Sequence, residues 1–240
     1  MFLISLESIL SIIVLGLLVL VIAFLIVITI LLKVSGKVLS KNGSSKKEHY
    51  DELNLNASKN EVVFLGDSLT DFYDTDEFFH NVSSYNRGIA GDTTDGVLAR
   101  LQSNVICLNP SKVFLQIGTN DLGLKKSVDY VYNNILKIIS TLKEYCPETK
   151  LYIISLYPVN ESAYPYSKVM VKPRKNKDIV TLNNMLMKYC NENKITYIDV
   201  HSFLIDDEGR LKKEYTVEGL HISFDGYLVV TKVLSEYINE

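Results

Sequence analysis

The stretch that decides the fold is Val62-Val63-Phe64-Leu65-Gly66-Asp67-Ser68-Leu69-Thr70-Asp71, an apolar run that ends at a Gly-Asp-Ser turn. A short apolar run bounded by a glycine is typical of a buried strand. Because open α/β sheets keep their active sites at the carboxyl ends of strands, this pattern predicts that Ser68 lies at such an edge. A serine hydroxyl is a weak nucleophile, so Ser68 needs a base and oxyanion donors from elsewhere in the chain.

The base is expected near the C-terminus, in Tyr215-Thr216-Val217-Glu218-Gly219-Leu220-His221-Ile222-Ser223. One short loop there carries His221 and, three residues before it, Glu218. His221 is predicted to take the proton of Ser68 through one ring nitrogen, while Glu218 accepts a hydrogen bond from the other. A backbone carbonyl or Asp225 remains an alternative partner for the histidine.

Two further blocks supply candidate donors for an oxyanion. The first, Asn86-Arg87-Gly88-Ile89-Ala90-Gly91-Asp92-Thr93-Thr94, offers the backbone N–H of Gly88, which has no side chain to keep a substrate away. The second, Gly118-Thr119-Asn120-Asp121, follows the apolar run 113–117 and offers the side-chain amide of Asn120. With the N–H of Ser68, the sequence predicts three donors.

These four blocks, in this order, resemble the SGNH (GDSL-type) serine hydrolase family. The block that begins at Asn86 is similar to the branch that contains enzymes of the platelet-activating-factor acetylhydrolase type and of the bacterial lysophospholipase type. The resemblance covers about residues 60 to 238 and implies Ser68 as nucleophile, His221 as general base, and Ser68, Gly88 and Asn120 as oxyanion donors. The family usually has aspartate where this chain has Glu218, whose side chain is one methylene longer.

Apolar and amphipathic segments alternate beyond residue 60, which predicts a parallel sheet with helices on both faces. The expected fold is a three-layer α/β/α sandwich with a mainly parallel, roughly five-stranded, flavodoxin-like sheet. The clearest strands are 62–65, 113–117, 151–156 and 195–200, with a weaker one before Asn86, and helices are expected near 94–104, 128–145, 177–193 and 224–238. The nucleophile turn lacks the second glycine of Gly-x-Ser-x-Gly and so differs from the α/β-hydrolase elbow.

The N-terminal region is dominated by Ser8–Leu32, which contains no charged residue. As a helix it is long enough to span a bilayer, and it lacks the basic n-region and cleavage site of a signal peptide. The predicted organisation is a transmembrane anchor over 1–33, a flexible polar linker over 34–59 and a catalytic domain over 60–240, which makes a single-pass membrane protein. Lysines after the helix favour a cytoplasmic catalytic domain, whereas the family analogy favours an extracellular one, so the side stays open.

Composition excludes several other classes of function. The net charge of −3 gives no indication of nucleic-acid binding. His49, His80 and His201 lack metal-ligand spacing, the three cysteines form no framework, and no phosphate-binding glycine loop is present, so no metal and no cofactor are expected. The basic segment 164–177 is interpreted as a solvated loop, with a substrate-side insertion as the alternative.

The function expected from sequence is that of a membrane-anchored serine esterase. Its substrate class would be an acyl ester of a lipid, a lysophospholipid or an O-acetylated carbohydrate. Two alternatives remain open: an O-acyltransferase that uses the same residues, and a non-catalytic membrane-tethered binding protein. The last of these would be expected to lack the serine, the asparagine or the histidine, and all three are present.

Overall fold

The hydrolase-like part of the chain is built around five strands flanked by helices. The computed structural model describes residues 6–240, with side chains described for all of these except 6–9, 12 and 32–44. The strands are β1 (Val62–Gly66), β2 (Ser84–Gly88), β3 (Lys112–Gln116), β4 (Lys150–Ile154) and β5 (Thr196–Ile198). The helices are α1 (Leu6–Asn54), α2 (Ser68–Asp71), α3 (Thr75–Phe78), α4 (Thr94–Asn104), α5 (Thr119–Gly123), α6 (Val128–Tyr145), α7 (Ser167–Val171), α8 (Asn176–Glu192), α9 (His201–Leu204) and α10 (Phe224–Ile238).

The five strands form one parallel sheet in the order β2-β1-β3-β4-β5. In this sheet Gly66, the last residue of β1, pairs with Gly88 of β2 and Gln116 of β3. The segments that follow these three strands therefore leave the sheet at the same edge. This is why blocks that are far apart in sequence meet in space, and it confirms the predicted fold class.

Both faces of the sheet are covered, as the near-continuous apolar strands predict. Along β1, Val63 and Leu65 face one core together with residues of α4, α6 and α8. Val62 and Phe64 face the other core, with residues of α9 and α10. The alternation gives a three-layer sandwich whose central sheet is buried, so the strand ends are held rigidly.

Helix α1 departs from the predicted organisation. The linker expected over 34–59 is helical through Asn54, and residues from Ser45 onward belong to the compact hydrolase unit. The physical reason is that Tyr50 and Asn54, one helical turn apart, are both buried in that unit, which favours helix over a flexible chain. Residues 1–5 of the expected anchor lie outside the described residues.

The N-terminal part of α1 contains the segment Ile13–Leu31, which is long and apolar enough to cross a membrane. Its 19 residues span roughly 28 Å at about 1.5 Å per residue, close to the ~30 Å thickness of the hydrocarbon core. The side chains of this segment are exposed rather than packed into a protein core. A signal sequence has the same length and composition, so these features alone do not distinguish the two.

Candidate active site

Ser68 is the first residue of α2 and follows β1 directly after Asp67. Asp67 caps the helix, because its Oδ1 accepts the N–H of Leu69 at 2.9 Å. The tight turn requires Gly66, where an added Cβ would lie 2.3 Å from the carbonyl oxygen of Gln116. Ser68 is therefore fixed by backbone geometry at the carboxyl edge of the sheet.

His221 and Glu218 lie opposite Ser68 on the loop before α10. The Nε2 of His221 is 3.0 Å from the Oγ of Ser68, and its Nδ1 is 2.6 Å from Oε1 of Glu218. Thr216 shapes this loop, since its hydroxyl accepts the N–H of Gly219 and donates to the carbonyl of His221. The structure thus brings together the three residues that the sequence nominated as a relay.

The hydrogen bonds of Glu218 determine which nitrogen of His221 carries the proton. Oε1 of Glu218 accepts the backbone N–H of His221 at 3.0 Å, so this oxygen is an acceptor. The same oxygen lies next to Nδ1. Because a carboxylate oxygen only accepts hydrogen bonds, Nδ1 is the donor and therefore the protonated ring nitrogen. Nε2 is left bare and accepts the hydroxyl proton of Ser68, which is the arrangement that a general base needs. The alternative acid, Asp225, makes no hydrogen bond to His221 within the described part of the chain.

Asn120 lies at the start of α5, directly after β3, with its amide held on both sides. One N–H of its Nδ2 donates to the carbonyl of Asp92 at 2.9 Å, and its Oδ1 accepts Nη2 of Arg174 at 2.9 Å. Because the guanidinium is a donor only, it fixes the orientation of the amide. The second N–H of Nδ2 has no partner among the described residues and is available to an oxyanion.

Arg174 belongs to the basic segment 164–177, and the structure places its side chain beside Asn120. Its Nε also donates to the carbonyl of Thr119 at 2.9 Å. Burial lowers the pKa of Arg174 from its ordinary value, while Asp67 and Glu218 oppose that shift. The segment that carries it also bonds to the histidine loop, since the hydroxyl of Tyr164 donates to the carbonyl of Thr216. The location favours the substrate-side interpretation of segment 164–177.

Gly88, which the sequence predicts to offer an oxyanion donor, does not present an open backbone N–H in the structure. Its N–H donates to Oδ1 of Asn86 at 2.8 Å and is therefore already used. The residue also packs against the backbone of α2, where an added Cβ would lie 2.2 Å from the nitrogen of Asp71. A glycine is needed here for close packing, which explains its presence without a role in binding an oxyanion.

An N–H without a partner in the part of the chain that the structure describes lies instead in the turn Ile89–Asp92, called here the oxyanion turn after the role proposed for it below. The N–H groups of Ile89, Ala90 and Asp92 all have partners: the carbonyl of Gly66, Oδ2 of Asp71 and the carbonyl of Ile89. The N–H of Gly91 has none among the described residues. Gly91 has a φ of +82°, and nothing lies within 4 Å of an added Cβ. Gly91 is the third residue of the turn, the position at which a type II turn favours glycine, and this is the sequence signal that could have indicated the turn.

Asp67, which directly precedes Ser68, is completely buried. Its Oδ2 has no hydrogen-bond partner among the described residues, and burial raises the pKa of its carboxyl to about 7. Burial also raises the pKa of Asp121, which accepts both the N–H and the hydroxyl of Thr94. Asp67 thus caps α2, which begins at Ser68, and Asp121 ties the start of α5 to Thr94 of α4.

Comparison with known proteins places this site in a recognisable context. Residues 64–229 match the model of the GDSL-like Lipase/Acylhydrolase family. The chain is 32% identical over 178 residues to an N-acylneuraminate cytidylyltransferase of Streptococcus agalactiae, covering 74% of this chain but only 38% of that enzyme. It is 25% identical over 183 residues to the platelet-activating factor acetylhydrolase IB subunit alpha2 of Rattus norvegicus, covering 74% of this chain and 76% of the relative.

Solved structures give the same family context. A chain from Streptococcus pneumonia, whose description names a platelet activating factor, superposes with a TM-score of 0.81 at 30% identity, covering 88% of this chain and 99% of that one. A GDSL-like lipase from Bacteroides thetaiotaomicron superposes with a TM-score of 0.71 at 26% identity, covering 80% and 97%.

Proposed function

Because the chain belongs to the GDSL-like lipase/acylhydrolase family, we propose that it cleaves acyl esters through a covalent intermediate on Ser68. The observation that carries this proposal is the continuous hydrogen-bonded relay from the Oγ of Ser68 through His221 to Glu218, at 3.0 and 2.6 Å. A serine, a bare imidazole nitrogen and an orienting carboxylate are the parts that nucleophilic acyl transfer requires.

In the first half of the proposed reaction, the Oγ of Ser68 bonds to the ester carbonyl carbon while its proton passes to Nε2 of His221. The carbonyl π electrons move to oxygen, and the resulting oxyanion is held by the N–H groups of Ser68 and Gly91 and by Nδ2 of Asn120. Collapse of this intermediate breaks the bond to the alcohol, which takes the proton from Nε2 as it leaves. Glu218 offsets the positive charge on the imidazolium throughout.

In the second half, water replaces the alcohol. The oxygen of the water bonds to the acyl carbon while His221 removes one proton from the water, and the same donors hold the second oxyanion. Collapse then breaks the acyl bond to Ser68, whose Oγ recovers its proton, and the carboxylic acid leaves. An alcohol in place of water would give acyl transfer with the same balance of atoms.

Short acyl chains are the proposed substrates. Support comes from the similarity to the platelet-activating factor acetylhydrolase subunit, whose name indicates that it removes an acetyl group. The exposed ring of Phe72 lies 5.3 Å from the ring of His221, centroid to centroid, and offers an apolar flank beside the base. The alcohol part is proposed to lie toward Arg174, which lines a cavity of about 490 Å³ together with Lys172 and Lys175. These cations favour an alcohol that carries an acidic group.

We further propose that Ile13–Leu31 anchors the enzyme in a membrane. The support is the length of this segment, its lack of charge and the exposure of its side chains.

The test of the reaction is a panel of water-soluble esters with acyl chains of two to twelve carbons and with neutral or acidic alcohols. We expect hydrolysis that is fastest with short chains, loss of hydrolysis in Ser68→Ala, and labelling by a serine-reactive phosphonate in the parent alone. Ser84→Ala, which removes a hydroxyl at the start of β2 away from Ser68, is the matched control and should be labelled normally. Parent-like turnover by Ser68→Ala would overturn the covalent mechanism.

A further inference from the structure

The last turns of α1 contact α2 and β2, the elements that support the oxyanion turn, through Lys46 and Tyr50. From these contacts we propose that Lys46 and Tyr50 are positioning residues for the oxyanion turn, so that the N-terminal helix is a working part of the catalytic unit. The proposal rests on the function proposed above, in which the N–H of Gly91 is an oxyanion donor. Both residues belong to the part of α1 that packs within the hydrolase unit.

Tyr50 holds the chain at the entrance to the turn. Its side chain is only 6% exposed, and its hydroxyl donates to the carbonyl of Gly88 at 2.8 Å. The guanidinium of Arg87 lies over its ring, 4.7 Å from the centroid. Because the N–H of Gly88 is held by Asn86, the hydroxyl of Tyr50 completes the hydrogen bonding of Gly88 immediately before the oxyanion turn.

Lys46 acts on the turn through a carboxylate. It forms an ion pair with Oδ1 of Asp71, while Oδ2 of Asp71 accepts the N–H of Ala90 at 2.9 Å. Ala90 immediately precedes Gly91, so this carboxylate fixes the peptide next to the one whose N–H is free. The Asp71 side chain is 10% exposed, and loss of its cation would leave a largely buried charge with weaker compensation.

Two more contacts fix the register of this helical segment. Oδ1 of Asn54 accepts Nη2 of Arg87 at 2.6 Å, and Oδ1 of Asp51 accepts Nδ2 of Asn104 at 2.6 Å. Lys46, Tyr50 and Asn54 are spaced four residues apart and thus lie on one face of α1. One helix face therefore contacts α2, β2 and the entry to the oxyanion turn together.

Such contacts act on catalysis through orientation. An oxyanion donor contributes only when its N–H points to where the negative charge develops, and small misplacements are costly. Removing the supports should therefore lower kcat for a small ester and leave KM nearly unchanged, since the negative charge is absent from the bound ester and develops only as the tetrahedral intermediate forms. Replacing a residue that merely stabilises the fold would lower the unfolding temperature without lowering kcat relative to KM.

The test uses the full chain and two conservative variants, Tyr50→Phe and Lys46→Met. Losing one neutral hydrogen bond predicts a fall in kcat of about fivefold for Tyr50→Phe, and losing a charged partner predicts a fall of about tenfold for Lys46→Met. Lys46→Arg keeps the charge and should restore most of the rate. The matched controls are Tyr85→Phe, whose ring flanks Arg87 from a different position, and Lys47→Met, the adjacent lysine; both should retain the parent kcat.

Amide hydrogen exchange over residues 88–92 provides a readout independent of turnover. We expect exchange there to accelerate at least about threefold in both variants and to stay unchanged in both controls. If the parent hydrolyses the ester but kcat is unchanged in both variants, this inference fails while the proposed function stands. Unchanged exchange over 88–92 also overturns it, whatever the turnover. If the parent hydrolyses no ester in the panel, the proposed function fails and this inference fails with it.

Discussion

Replacing Glu218 by glutamine tests the relay most sharply, because the structure predicts a smaller loss than a broken triad would give. The amide oxygen of the glutamine can keep both hydrogen bonds of Oε1, to the backbone N–H and to Nδ1 of His221. The backbone N–H selects the oxygen over the amide nitrogen, so the ring keeps its tautomer. Only the negative charge is lost.

The cost of that charge can be worked out from its distance to the imidazolium. Two unit charges about 4 Å apart interact by about 4 kcal/mol at an effective dielectric constant of about 20, which corresponds to roughly 10³ in rate. His221 is partly exposed, which reduces the effect, so we expect Glu218→Gln to lower kcat by about 10² to 10³. Enforcing the wrong tautomer would cost ~10⁴. Glu218→Asp keeps the charge on a shorter arm and should lose only about tenfold.

The assay is steady-state hydrolysis of a short-chain ester at saturating substrate, with His221→Ala as the reference for a missing base. Glu214→Gln, an exposed neighbour, is the matched control and should behave as the parent does. Parent-like kcat in Glu218→Gln beside an inactive His221→Ala would refute the triad and leave a dyad. A loss of 10⁴ or more would refute the argument that the backbone N–H fixes the tautomer.

Three further predictions follow from the site and the helix. Asn120→Ala should lower kcat by about 10² to 10³ with a smaller change in KM, measured on the same ester; a change in KM alone would make Asn120 a substrate-binding residue. In the parent, the native state holds a proton on Asp67 between about pH 4 and pH 7 that the unfolded chain has lost, so the parent loses stability as the pH rises through this range. Asp67→Asn has no such proton and should therefore gain stability relative to the parent over the same range, by up to about 4 kcal/mol. Thermal unfolding of both proteins at several pH values checks this, and a pH-independent difference would contradict it. The full chain should stay in the membrane pellet after alkaline carbonate extraction, and release to the supernatant would indicate a cleaved signal instead.

The sequence by itself determined the sheet and the residues of the relay. Apolar runs with strand length and amphipathic segments with helical period report burial directly, so four of the five strands and the four long helices after residue 90 could be placed within a few residues of their observed ends. The strand expected before Asn86 had no predicted bounds, and the structure places it at Ser84–Gly88, so that it includes Asn86. Ser68, Asn120 and His221 could be nominated because each follows or accompanies a recognisable local motif. Glu218 could be nominated because it shares a short loop with His221.

Tertiary structure alone decided which amides are free and which segments belong together. Gly88 and Gly91 are three residues apart in one block. Only the folded backbone shows that the N–H of Gly88 bonds to Asn86 whereas that of Gly91 has no partner among the described residues. The bond from Arg174 to Asn120 joins residues 54 apart, and the ion pair from Lys46 to Asp71 joins residues 25 apart. Local patterns record whether a residue is buried, but not which partner satisfies each polar group. That is settled only when the chain folds and nearly all buried donors and acceptors find partners.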